Sequence, residues 1–349
     1  MSCHASTRQQ GSGLVEVMVS IIVGMLITLL IYQVFSGFES QRRVTVGSAT
    51  AQQSGVLALH AMTRVMAMAG WGQVGGGGPQ CTQFYTYDAA TGQPWPSVSV
   101  WPVTVADGGL RSGSGSSLPD AITINSGSSV RASAPAMLQK TMSAPLESLF
   151  VNSAVGYATG DLLWVTEGSQ CTLMQLSAVD AFALRLAHQP GSAAPYNPTA
   201  AYASANGWPR YSNNARIFNT GRMTTTTYGI SGSDLVADIG TGGSAARRTE
   251  VAAEVINLQA QYGLSTQANT LPITSWVDAT GATAATLGRV RAIRLAVLSR
   301  STEARRPDLA NRCAAPVVPL PWPGAPPFDL GGNADAACYR YRVFQTVVP

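Results

Sequence analysis

The chain has 349 residues, enough for one large or two ordinary domains, and its 46% hydrophobic content is ample for a packed core, which excludes a disordered polypeptide. Only 11% of the residues are charged, against roughly 25% in a typical soluble domain, and Gly, Ala, Ser and Thr dominate the middle, as in a β-rich exported protein rather than a charged cytosolic enzyme. The net charge of +4 comes from 22 basic and 18 acidic residues with no run of five or more like charges, so nucleic acid is not an expected partner.

Residues 17–38 carry no charge and are mostly Val, Ile, Leu and Met, a stretch long enough to span a bilayer. A cleaved secretory signal fits poorly, because the apolar run is too long and no small-x-small site follows it. An ordinary signal anchor is the plain alternative. Glu16 separates the segment from both: it stands at the start of the apolar run, five residues after Gly11, and a carboxylate there is costly in lipid unless it meets a positive partner.

Gly11-Ser12-Gly13-Leu14-Val15-Glu16-Val17-Met18-Val19 resembles the class III signal of type IV prepilins, in which a Gly precedes the scissile bond and a Glu is the fifth mature residue. The resemblance implies cleavage after Gly11, methylation of the new N-terminus Ser12, and an assembly role for Glu16. Ser12 stands where the family usually has an apolar residue, and Arg8 is the one basic residue of a leader that is usually richer in Lys and Arg.

No proline occurs between Ser12 and Pro79, and residues 39–69 are good or neutral helix formers, with Val56, Leu59, Met62, Val65, Met66 and Ala69 near helical spacing. The pattern predicts one helix over residues 13–69, about 85 Å long at 1.5 Å per residue. Its first half would lie in the membrane and its second half would carry a head. Gly70 and Gly72, the glycines at 75–78 and Pro79 end it. Residues 66–72 (MAMAGWG) resemble the helix end of the PilW-type minor pilins, and their Met side chains are expected to pack against the head.

Beyond Pro79 the period changes to alternation. Residues 121–125, 161–166, 171–179, 223–228 and 234–239 read as short strands between Gly, Ser, Pro and Asn clusters. In 256–262 the side chains of Ile256, Leu258, Ala260 and Tyr262 are expected on one face and three amides on the other. Residues 292–299, apolar on both faces apart from Arg294, read as a central strand. The last strand is 339–348, with Arg340 and Arg342 opposite Tyr339, Tyr341 and Val343. The segments 160–165, 255–263, 291–300 and 339–348 also resemble PilW-type pilins. Residues 109–117 and 190–206 are expected as surface loops.

The expected fold class is therefore α+β and type IV pilin-like: a leader (1–11), a transmembrane and filament-core helix (12–38), its continuation packed on the head (39–72), and one β-rich head (73–349). With Cys3 in the removed leader, Cys81, Cys171, Cys313 and Cys338 remain. An even number without CxxC spacing reads as two disulfides in an oxidising compartment. Sequence leaves the connectivity open; Cys313 with Cys338 and Cys81 with Cys171 are the expected pairs, the first because the Pro-rich stretch 316–327 needs a clamp.

A membrane-anchored extracytoplasmic enzyme is the rival from another class. His4 falls in the leader, His60 on the helix, and His188 beside Pro190 is expected as a solvated loop residue; no GxSxG, HExxH or Walker sequence occurs. The glycines at 75–78 and Gly113-Ser114-Gly115 do not link a strand to a helix start as a phosphate loop must. Asp161, Asp234 and Asp238 lack the dense alternation of a calcium loop. No catalytic residue, cofactor or metal is expected.

The resemblance implies a subunit held in the inner membrane with its head in the periplasm, then moved into a pilus, at its tip. Its implied partners are prepilin peptidase/N-methyltransferase, the inner-membrane assembly platform, other minor pilins and the major pilin, with a tip adhesin left open. Pilus biogenesis, twitching motility and adhesion are the implied processes. The nearest alternative is the J-type minor pseudopilin of a type II secretion system.

Overall fold

The computed structural model describes residues 13–70, 81, 83–94, 101–108, 117–127, 135–241, 246–267, 270, 272–280, 283–305, 307, 312–314, 316–330 and 335–349. Cys3, His4, Arg8, Gly11, Ser12, Gly72, the glycines at 75–78, Pro79 and residues 109–116 of the expected loop 109–117 lie outside these residues.

Helix α1 (Leu14–Met66) runs for 53 residues, about 80 Å, and has no proline to remove a backbone donor. The hydroxyls of Ser20, Thr28 and Ser36 donate to carbonyls one turn back, at 2.7, 2.8 and 2.9 Å, so these three hydroxyls are satisfied within the helix itself. The helix closes at Ala67. Gly70 follows in the left-handed region, at φ +70°, and donates its N–H to the Asn125 carbonyl at 2.9 Å, which ties the end of the helix to the head.

The head is built from strands β1 (Gln83–Tyr85), β2 (Val103–Ala106), β3 (Ala121–Ser126), β4 (Ala136–Met137), β5 (Leu149–Phe150), β6 (Leu162–Glu167), β7 (Gln170–Gln175), β8 (Ala178–Asp180) and β9 (Arg185–Ala187), and the short helix α2 (Ala200–Ala205). It continues with β10 (Arg216–Gly221), β11 (Thr224–Ser231), β12 (Asp234–Thr241), β13 (Arg247–Ala252), β14 (Val255–Ser265), β15 (Ile273–Val277), α3 (Ala284–Leu287), β16 (Val290–Arg300) and β17 (Tyr341–Val348). The N-terminal apolar helix followed by a β-rich region makes the fold α+β.

Four sheets form among the described residues, in the orders β13-β12-β11-β3-β2, β15-β14-β16-β17, β1-β7-β6-β10-β4 and β5-β9-β8. The first two share a core with α1, in which Ala58, Met62 and Met66 meet Ile122, Ile124, Tyr228 and Leu235 of one sheet and Leu258, Tyr262, Leu295 and Val297 of the other. The sheet of β6 and β7 is apolar on both faces: Leu163, Val165 and Met174 pack with Leu149 and Leu186, while Leu162, Trp164 and Leu173 pack with Cys171, Tyr196 and Met223.

Several expectations are corrected. Residues 171–179 are two strands, because the N–H groups of Leu176 and Ser177 bond the Asp161 and Ala187 carbonyls and carry the chain from one sheet to another. Residues 190–206 are not a surface loop throughout: Thr199 caps α2, and Ala194, Tyr196 and Asn197 are buried. In β14, Ile256 does not share a face with Leu258, Ala260 and Tyr262. A bulge between Val255 and Asn257 turns it to the opposite side, onto Ala296, Leu298, Trp322 and Phe328.

Candidate functional site: the long helix and its seat

The two halves of α1 meet different surroundings. Leu14–Glu39, 26 residues of mean hydropathy 2.7, is long and apolar enough to cross a membrane, and none of its most apolar window is buried within the chain. Leu14, Val15, Tyr32, Phe35 and Phe38 are each more than 70% exposed. So large an apolar surface, all around a helix, requires lipid or other apolar helices.

Glu16 lies in the first turn of this half, where the partial positive charge of the helix N-terminus favours an acid. It is exposed, and no ion pair or hydrogen bond to its carboxylate occurs among the described residues. Gly11 and Ser12, the expected cleavage and methylation positions, lie outside the described residues.

The second half is seated on the head through a stripe of mostly small residues. Gly47, Ala51, Gly55, Ala58, Met62 and Met66 recur every three or four positions and are buried. A Cβ at Gly55 would stand 2.2 Å from the Phe344 ring, and one at Gly47 would stand 3.1 Å from Ser301 Cβ. Small residues let β16 and β17 lie directly against the helix. Polar bonds to the helix backbone fix its height: Ser299 Oγ donates to the Ala51 carbonyl at 2.7 Å, and the Tyr228 hydroxyl to the Ala61 carbonyl at 3.3 Å. Val56, expected on the packing face, is 54% exposed, and so is Met68 at 52%; Met66 packs and Met68 does not.

The disulfides join Cys81 to Cys171 and Cys313 to Cys338, with Cα atoms 5.7 and 5.1 Å apart. The second closes a Pro-rich strap, 316–330, that has no strand or helix of its own and packs Val318, Trp322, Ala325, Phe328 and Leu330 over β14 and β16. The amide face of β14 is buried beneath it. Asn257 donates to the Ser117 and Asp329 carbonyls, both at 3.0 Å, and Gln259 to the Leu118 carbonyl at 2.6 Å. Arg294 stacks between Trp276 and Trp322, 4.8 and 4.4 Å from their centroids, and donates to Gln261.

His188 is not a solvated residue. It is 1% exposed, its Nε2 lies 2.7 Å from the Glu147 carbonyl, and burial holds its pKa below the usual value. The loop turns inward because Asn197 bonds both the Gln175 backbone and the Gln189 carbonyl. His60 is exposed on α1. The three aspartates considered for calcium have protein partners: Asp161 accepts from Asn219, Asp234 from the Glu254 N–H, and Asp238 holds Arg248 by two bonds of 2.8 and 2.7 Å. Among the described residues no group of three or more His, Cys, Asp or Glu is placed to hold a metal ion.

Sequence reasoning missed Gly47, Ala51, Gly55 and Ala58, since apolar periodicity does not count glycine; the recurrence of small residues at helical spacing was the available signal. It also missed Asp120, 4% exposed, which joins the two sheets: its carboxylate accepts the Ala260 N–H at 2.7 Å and its own N–H donates to the Leu258 carbonyl.

No curated protein and no solved structure matches the chain. One family model does, that of Type IV Pilus-assembly protein W, over residues 222–349. These residues include the sheet on which α1 is seated, the strap and the second disulfide, and the likeness supports a PilW-type type IV pilus protein with a part in type IV pilus assembly.

Proposed function

We propose that the chain is a minor pilin of a type IV pilus. It is made as an inner-membrane precursor with its head in the periplasm, cut after Gly11 by prepilin peptidase, methylated at Ser12, and drawn into the fibre with other minor pilins and the major pilin in a priming complex at the tip. The observation that carries this reading is the continuity of α1: one helix has a large-residue apolar half whose most apolar window is unburied among the described residues and a small-residue half seated on the sheet that the family match covers. An ordinary anchor needs only the first half. A head of roughly 270 residues, by the expected boundary at 73, is also bulky for a subunit repeated densely along a thin fibre, which favours few copies at one end.

Glu16 has a defined role in this reading. In the fibre its carboxylate meets the N-terminal amine of an adjacent subunit in surroundings that screen poorly, so the pair is strong there and absent from the lone precursor. Glu16→Val inserts into the membrane as well as the wild type and is cut after Gly11, but is recruited poorly. Immunoblots of membranes and sheared pili check this side by side with Gly11→Val, which stays uncut. Equal amounts of Glu16→Val and wild type in the pili would sink the proposed role.

A further inference from the structure

A cleft of about 530 Å³ lies where α1, β17 and the strap meet. Ser48 and Ala51 of the helix form one wall, Pro316 and Pro319 of the strap another, and Tyr339 to Phe344 run along a third. Arg305, Arg340 and Arg342 line it, and no carboxylate does among the described residues. The Cys313–Cys338 bond and the bond from the Arg305 N–H to the Cys338 carbonyl at 2.7 Å bring the first arginine beside the other two.

Two features ask for a ligand with negative charge and extended backbone. Arg305, Arg340 and Arg342 bring three guanidinium groups to one cleft, and the Arg305 Nε is buried with no hydrogen-bond partner among the described residues, so the positive charge gathered there favours an anionic occupant. Arg342 reaches Ser48 Oγ at 2.8 Å, which uses one of its five N–H donors. Second, β17 is the last strand of its sheet, so one row of its backbone groups has no strand partner. The strap cannot fill that row as a strand, because Pro316, Pro319 and Pro321 have no N–H to give. Val317, 94% exposed, and Leu320, 44% exposed, stand on the strap as contacts for apolar side chains.

We propose that this cleft binds an acidic peptide segment of a neighbouring subunit, in extended form along β17, with its carboxylates on Arg305, Arg340 and Arg342. The proposal deepens the pilus reading and rests on it only for the partner being a subunit. A lipid headgroup is the weaker occupant. Ser48 is nine residues beyond Glu39, the end of the apolar span, a rise of about 13 Å. That exceeds the ~5–7 Å that headgroups add on each side of the hydrocarbon.

The test uses the full chain in neutral detergent micelles and a blocked, rhodamine-labelled nonapeptide of alternating Val and Glu, read by fluorescence anisotropy. The acidic peptide binds, its Gln counterpart binds at least about tenfold more weakly, and Arg305→Gln with Arg340→Gln weakens the acidic peptide by a similar factor. Arg216→Gln, exposed on β10, leaves binding unchanged, and circular dichroism and melting show the variants folded. Equal binding of the two peptides, or no effect of the double variant while it stays folded, overturns the proposal. So does an effect of the double variant confined to retention on phosphatidylglycerol vesicles. None of these outcomes depends on recruitment into pili, so the cleft and the pilus reading fail separately.

Discussion

The apolar and head-side halves of α1 share a backbone and differ in the volume of what they carry. Residues 14–38 hold Leu, Ile, Val, Phe and Met around the whole circumference, nearly all about half exposed or more. From Gly47 the buried line is Gly, Ala, Gly, Ala before the two methionines. A sheet has a broad, twisted face, and a helix lies close to it only where its own side chains are small. The head therefore claims the half with the smaller side chains, and the half with the larger apolar surface is left for lipid or other helices. Apolar content alone does not say where a helix docks; the steric profile does.

The comparison breaks most visibly if the head is loosened while the anchor is left alone. Replacing Cys81 and Cys171 with Ser opens a loop of 90 residues and lowers head stability by about 4.6 kcal/mol in the chain-entropy model, while opening the 25-residue loop of Cys313 and Cys338 lowers it by about 3.5 kcal/mol. Both variants keep full membrane retention. Urea melts read by tryptophan fluorescence, alongside carbonate extraction of membranes, check the two halves of this statement.

Next in size is Gly55→Leu. The added Cβ alone falls 2.2 Å from the Phe344 ring, so helix and β17 must part or the ring must leave its place. Overpacking of this kind costs about 1–3 kcal/mol. Phe344→Ala in the same chain removes the clash and restores part of the loss, which distinguishes steric conflict from a general weakening of α1. The double-mutant cycle is the measurement.

Asp120 tests the joint between the sheets. Burial pushes its carboxyl up to about 8, with Asp107 and Asp278 adding repulsion and the Ala260 N–H opposing both. The unfolded chain releases this proton near pH 3.8, so from there to about pH 8 the folded state binds more protons and each rise in pH subtracts stability. Below pH 3.8 the contribution is fully present, and above about 8 it has been lost. Asp120→Asn keeps an acceptor for Ala260 and cannot ionise. It flattens this slope and stabilises the head at pH 8 by on the order of 2 kcal/mol, seen as a higher Tm at pH 8 and little change at pH 4.

Much of this architecture was legible. The helix, the uncharged stretch and the alternating strands declare themselves because each obeys one period along the chain, and β12 and β16 lie within two residues of where alternation puts them. The failures have identifiable causes. The Ile256 bulge shifts one side chain across β14 without changing the alternation that sequence displays. His188 is buried by hydrogen bonds from Asn197, nine positions further on, which no local pattern encodes. Of the site, Glu16 and the apolar half could be read directly, because their message is local. Of the seat, the packing of the second half and its methionines was expected, but the line of small residues was missed, because the meaning of Gly47 and Gly55 comes from Ser301 and Phe344. The arginine cleft could not either, since its walls come from three distant parts of the chain.

The smallest expected effect is the one that isolates the two halves of α1 most cleanly. Gly24 lies in the apolar half, and a Cβ there would meet nothing within 4 Å. Gly24→Ala therefore changes only the helix itself, where Ala is favoured over Gly by about 1 kcal/mol in a helix interior. That gain belongs to a segment the head does not touch, so it leaves the head's melting curve unmoved, within about 0.5 kcal/mol. Gly55→Ala carries the same intrinsic gain on the same helix and adds a Cβ into the Phe344 ring. If the halves are independent, Gly24→Ala is silent in the head's urea midpoint while Gly55→Ala lowers it despite the better helix former. A shift of the midpoint by Gly24→Ala as large as that by Gly55→Ala would mean that the head senses the whole helix, and that the division drawn at Glu39 is wrong.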